Sequence, residues 1–110
     1  MMMNYEKMSD NELNMMVADL RGGYAGNVHD SESMVKVSDP NSGGLFYMEV
    51  DYCNNPSDAM PILIEMKIGF KWLNGSCTAS SVLRGYHEST SDNPLRAAMV
   101  VFLMMKDEVK

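Results

Sequence analysis

Ile68-Gly69-Phe70-Lys71-Trp72-Leu73-Asn74-Gly75-Ser76-Cys77-Thr78-Ala79-Ser80-Ser81-Val82 is the stretch that decides the fold class. Ile68, Phe70 and Trp72 alternate with Gly69, Lys71 and Leu73, the period of two that belongs to a strand. Asn74-Gly75 follows, the dipeptide that best accepts the two positive φ angles of a tight hairpin turn. Cys77, Ala79 and Ser81 then alternate with Thr78, Ser80 and Val82 on a return strand. An antiparallel hairpin is therefore predicted over this stretch.

On its C-terminal side, Gly85 to Asp92 is polar and reads as loop. Asn93-Pro94 opens a helix with proline at the first position, where a missing N–H costs nothing. Leu95, Met99 and Phe102, with Ala98, Leu103 and Met105, give that helix a broad apolar face, so it is expected at the centre of the core. On the N-terminal side, Tyr52 to Pro61 is dense in Asn, Asp, Ser and Pro and leads into a short helix. That helix is expected to start at Ser57 or Asp58, with Pro61 still in its first turn, and to end near Lys67. Leu45 to Asp51 is predicted as a strand that is central or covered by a helix, because both of its faces are largely apolar. Val35 and Val37 mark a shorter strand, ended by Asp39-Pro40-Asn41-Ser42-Gly43-Gly44. Residues 24–32 have little periodicity and read as loop.

The first helix is marked by its cap. Ser9 and Glu12 make a capping box, Met8 and Leu13 a hydrophobic staple, and Leu13, Met16, Val17 and Leu20 one apolar stripe. Gly22-Gly23 stops it, giving a helix over about residues 10–21. The expected order is α-β-β-α-β-β-α: an α+β fold with a small, mostly antiparallel β-sheet of about four strands and about three packed helices. Residues 1–110 are expected to make a single domain with frayed ends at about 1–6 and 107–110.

Composition excludes several function classes. Nine Lys+Arg against fifteen Asp+Glu give a net charge of −6, the wrong sign for a general nucleic-acid binder. The charge is uneven: residues 1–65 carry eleven acids and three bases, a net of −8, and residues 66–110 four acids and six bases, a net of +2. The longest apolar run, Ala97 to Met105, has nine residues, well short of the ~20 that span a bilayer. No secretory signal is visible in the opening residues, so a cytoplasmic protein is expected. Thirteen methionines are an excess that core filling explains for most of them, with adaptable binding surface as the alternative. Cys53 and Cys77, with His29 and His87, lack the spacing of a zinc site, so neither metal nor cofactor is expected.

The Tyr52–Pro61 segment is the densest in side-chain chemistry. Tyr52, Asn54, Asn55 and Asp58 read as a candidate recognition loop beside a helix N-terminus. The same residue types are selected by caps and turns, and that structural explanation carries more weight. Arg96, at the start of the last helix, is a candidate contact for an anion or a partner, with pairing to an acid on the next turn, or solvent, as the favoured alternative.

Two segments carry a family resemblance: Tyr52-Cys53-Asn54-Asn55-Pro56-Ser57-Asp58-Ala59-Met60-Pro61-Ile62-Leu63-Ile64-Glu65 and Asn93-Pro94-Leu95-Arg96-Ala97-Ala98-Met99. Together they resemble the NinX-like family of small phage proteins, in which an aromatic-polar-proline segment leads to proline, two branched apolar residues and an acid. A Pro-Leu-x-Ala-Ala-Met helix closes the chain. The resemblance implies a phage or prophage accessory protein in the host cytoplasm. It lends no catalytic residue, cofactor or activity.

With no catalytic motif on the page, the favoured expectation is a non-catalytic protein that binds a host or phage protein, with no direct nucleic-acid or membrane contact. Two alternatives stand beside it. One is a small enzyme with Cys53 as nucleophile and His87 as base. The other is an acidic mimic of nucleic acid that blocks a DNA-binding protein, for which −6 is a weak charge.

Overall fold

The computed structural model describes residues 4–21, 23–28, 31–39 and 41–108. Gly22 of the expected helix stop, His29 and Pro40 lie outside the described residues, as do the outermost parts of the expected frayed ends. A short 3₁₀ turn at Tyr5–Lys7 precedes helix α1, Asp10–Leu20. Strands β1 (Tyr24–Asn27), β2 (Val35–Ser38) and β3 (Tyr47–Val50) follow, then helix α2 (Pro56–Glu65). Strands β4 (Gly69–Leu73), β5 (Ser76–Ser81) and β6 (His87–Ser91) lead into helix α3, Pro94–Glu108.

The fold is α+β, but the expected single sheet of about four strands is two separate three-stranded antiparallel sheets, β1-β2-β3 and β4-β5-β6. The order is α-β-β-β-α-β-β-β-α. Both extra strands fall where loops were expected, and each has a physical reason for reading as loop. β1 contains Gly26 at φ 140° and breaks register between Tyr24 and Gly26, a bulge that erases the period of two. β6 is His-Glu-Ser-Thr-Ser, whose inward residues include Ser89, only 4% exposed, a small hydroxyl that suits a strand lying close under α3.

The β4–β5 hairpin forms as expected, with Asn74 at φ 53° and Gly75 at φ 82°. The capping box of α1 also forms: Ser9 Oγ accepts from Glu12 N at 3.1 Å, and Glu12 Oε1 accepts from Ser9 N at 3.1 Å. The buried face of α1 is rotated from the expected stripe. Leu13, Asn14, Val17 and Ala18 are buried, while Met16 is half-buried and Leu20 is 42% exposed. Helix α2 starts one residue earlier than expected, at Pro56, because Asn55 is its cap: Asn55 Oδ1 accepts from Ser57 N at 3.0 Å.

Helix α3 is the centre of the core. Ala97 to Leu103 and Met105 are all buried, against β5 and β6 on one side and α1, α2 and the 3₁₀ turn on the others. Burial on every side explains why it is apolar nearly all round. Near the two ends, Tyr5 is 2% exposed, its hydroxyl donates to Asp107, and α3 runs on through that residue. Met66, Met99 and Met105 are buried, and Met8, Met15, Met16 and Met104 pack around the core; Met48 and Met60 are exposed.

The strand expected at Leu45–Asp51 is shorter, and it is neither central nor covered. β2 takes the middle of its sheet because β1 pairs on its far side, so β3 is an edge. Leu45, Phe46, Tyr47 and Met48 are exposed by 78, 66, 61 and 41%.

Candidate functional site

Of the residues singled out in Tyr52–Pro61, Asn54 and Asp58 meet residues of α1, α3 and the segments flanking β2 and β3 in one polar cluster. Its centre is the Asp51 carboxylate, 8% exposed. Asp51 Oδ1 accepts from Asn14 Nδ2 at 2.8 Å and Asp51 Oδ2 from Ser33 Oγ at 2.6 Å. Asn54 Nδ2 lies 3.1 Å from both of these oxygens and donates as well to Asp10 Oδ2 at 3.1 Å. Four donor contacts to one carboxylate leave it little capacity for a ligand.

Asn14 is fully buried and uses both ends of its amide. Its Nδ2 donates to Ser33 O at 3.0 Å as well as to Asp51, and its Oδ1 accepts from Cys53 N at 3.1 Å. Asn93 does the same from the other side. Its Nδ2 donates to Cys53 O at 2.7 Å and to Asn54 Oδ1 at 2.9 Å, and its Oδ1 caps α3 by accepting from Leu95 N and Arg96 N. Arg96 closes the cluster. Its Nη1 donates to Asp10 Oδ1 at 2.6 Å, and its Nη2 to Glu6 O at 3.2 Å and to Met8 O. Arg96 thus pairs with an acid, but one on α1, not on its own helix.

Asp58 turns the start of α2 onto β3: Asp58 Oδ2 accepts from Asp51 N at 2.9 Å. Asn55 spends its side chain on the α2 cap. Cys53 is fully buried between these groups, its sulfur 3.9 Å from Asp10 O. Burial, with the Asp10 carboxylate adding to it, pushes the Cys53 thiol far above its ordinary range. His87 sits on β6 opposite Ser81, its Nδ1 buried without a hydrogen-bond partner, and shares no hydrogen bond with Cys53. Among the described residues no group of three or more His, Cys, Asp or Glu is placed to hold a metal ion. Cys53 and Cys77 are both free thiols.

Tyr52 and Asp58 also line a groove of about 610 Å³ between the end of α1 (Ala18, Arg21), the inner face of the first sheet (Val37, Met48) and the start of α2 (Pro61). Tyr52 is 7% exposed, and burial raises its hydroxyl pKa and keeps it protonated. Arg21, at the lip, pairs with Glu65 at 3.2 Å. The sequence pointed to the loop residues and Arg96. It did not point to Asn14, Asp51, Ser33 or Asn93. Asn14 carried one usable signal, since it lies between Leu13 and Val17 on the apolar side of α1.

No helix among the described residues is long and apolar enough to cross a membrane. No curated protein and no solved structure matches the chain. A family model described as "Bacteriophage P22, NinX" matches residues 4–106, nearly the whole chain and both segments that carry the resemblance. With a match of that extent, this chain belongs to the bacteriophage P22 NinX family.

Proposed function

We propose that this NinX-family chain is a non-catalytic phage accessory protein that acts in the host cytoplasm by binding a host or phage protein. The observation that carries the reading is the run Leu45–Met48, four consecutive exposed apolar residues that lead into the edge strand β3, with Met48 lining the groove. Exposed apolar surface next to a concavity is what a protein partner covers.

The chemistry elsewhere fits the reading. A thiol held protonated by burial is a poor nucleophile, which counts against Cys53 as a catalytic residue. Asp10, Asp51 and Asp58 are engaged in hydrogen bonds inside the protein and Glu65 in an ion pair, so these acids do not line up as a free row imitating a phosphate backbone.

The test is affinity capture from infected and uninfected host cells, with captured proteins identified by mass spectrometry. Tagged wild type and a Leu45→Ser/Phe46→Ser variant serve as baits. One host or phage protein enriched by the wild type and lost with the variant is the expected result. Recovery of the bait alone from both lysates, or the same capture by the variant, overturns the proposal.

A further inference from the structure

The free edge of β3 is short, and both of its limits can be located. Asp39 N donates to Phe46 O at 3.0 Å, in line with the register that sets Val37 opposite Met48 and Val35 opposite Val50. In an antiparallel ladder alternate residues bond to the neighbour. Phe46, Met48 and Val50 therefore bond toward β2, and Tyr47 and Glu49 turn their N–H and C=O groups outward. Asp51 has the same outward parity, yet it is closed: its N–H goes to Asp58 Oδ2, and its C=O accepts from Asn54 N and Asn55 N. Among the described residues no strand pairs with the outer side of Tyr47 and Glu49.

The two faces of this edge differ. Met48 lies on the inner face and lines the groove with Val37 and Pro61. Tyr47 and Glu49 lie on the outer face, where Glu49 stands opposite Lys36 of β2 without closing to an ion pair, so its carboxylate also has its free-edge side open. The surrounding part of the chain is acidic, at −8 over residues 1–65. A strand laid along this edge would place one side chain opposite Met48, over a groove of about 610 Å³ whose apolar lining of Val37, Met48, Val50 and Pro61 is mixed with Arg21 and Asp58. Its flanking side chains would stand opposite Tyr47 and Glu49, where a cation gains both from Glu49 and from the surrounding negative charge.

We infer that the β3 edge is a strand-addition site for an extended segment of a partner protein, with apolar side chains facing the groove and basic ones alternating on the outer face. The inference rests on the protein-binding reading above and specifies where and what that partner presents. Main-chain bonds to Tyr47 and Glu49 supply the attachment, and the groove and Glu49 supply the selection.

The probe is an acetylated, amidated octapeptide alternating Lys and Val, titrated into the full chain and followed by amide hydrogen exchange and NMR shifts. Exchange should slow at Tyr47 and Glu49, which are open in the free protein. For a strand added antiparallel to β3, the Lys residues opposite Tyr47 and Glu49 turn their N–H groups toward it, so their N-methylation should abolish binding, whereas N-methylation of the Val residues should leave it. A peptide alternating Glu and Val should bind about tenfold more weakly. Glu49→Lys, which sets a second lysine opposite Lys36 and is therefore checked for folding by amide exchange in the core, should weaken the Lys-Val peptide about tenfold. Equal binding of the two N-methylated peptides, equal binding of the Glu-Val peptide, or no saturable binding overturns the site. The two proposals fail separately. A partner still captured by Glu49→Lys sinks this site and leaves the protein-binding reading standing, whereas peptide binding without any captured partner sinks that reading and leaves the edge.

Discussion

At Asp51 the edge of β3 is shut, and two residues earlier it is open. At the shut end, Asp58 of α2 takes the N–H of Asp51, the N–H groups of Asn54 and Asn55 take its C=O, and Asn14 of α1, Ser33 and Asn54 take its carboxylate. At the open end, Tyr47 and Glu49 face outward beside a groove. The polar density that draws the eye in Tyr52–Pro61 belongs to the shut end. The lesson is that a cluster of Asn, Asp and Ser residues can be used up in holding elements together, and that available binding capacity is found where the main chain has no partner.

The comparison is broken most severely at the common support of both ends, α3. Phe102 is 1% exposed in the middle of the core, and Phe102→Ala should cost about 3–5 kcal/mol in denaturant unfolding. A cost under about 1 kcal/mol would mean that α3 is not the anchor described here.

Asn14→Ala removes the fully buried amide that bridges Ser33, Asp51 and Cys53, leaving the Cys53 N–H without its acceptor. It should cost about 2–3 kcal/mol, because each orphaned buried group forfeits its solvation. Arg96→Ala breaks a part-buried pair with Asp10 and two bonds to backbone carbonyls, and should cost about 2 kcal/mol. Both losses are read by chemical denaturation, and if either variant is as stable as wild type, the shut end is not a fastening. Should Asn54→Ala keep full stability and yet lose partner capture, the shut end is itself a binding surface and the contrast is reversed.

The smallest effect concerns the terminal latch. Burial and the Asp107 carboxylate raise the Tyr5 hydroxyl from 10.0 to about 12. The unfolded chain loses this proton first, so the stabilisation is complete below about pH 10 and is lost as pH rises toward about 12. Tyr5→Phe should cost about 1 kcal/mol at neutral pH and flatten the alkaline fall in stability over that window. An unchanged alkaline slope in the variant would show that Tyr5 is not linked to folding.

Much of the fold was legible because its signals are local. Ser9 and Glu12 satisfy each other three residues apart, Asn74-Gly75 meets the φ requirement of its own turn, and Asn93 caps the helix that follows it. The two missed strands had no such signal. In β1 a glycine bulge broke the alternation, and in β6 the inward residues His87, Ser89 and Ser91 are all polar. The loop residues of the candidate site and Arg96 were visible by type, but their partners were not. Arg96 meets Asp10 from 86 residues away, and Asn54 meets Asp10 from 44.

By itself, then, the sequence determined the helices that cap themselves, the hairpin and the apolar helix that had to lie at the centre. Each follows from backbone conformation or burial pattern within a few neighbouring residues. The tertiary structure alone decided that there are two sheets, that β2 rather than β3 is central, and that Asp51 is enclosed while Tyr47 and Glu49 stay open. Strand order depends on which distant segments pair, and enclosure depends on side chains arriving from α1, α2 and the segments before β2 and after β3. Neither is encoded in the period or composition of the strand to which it happens.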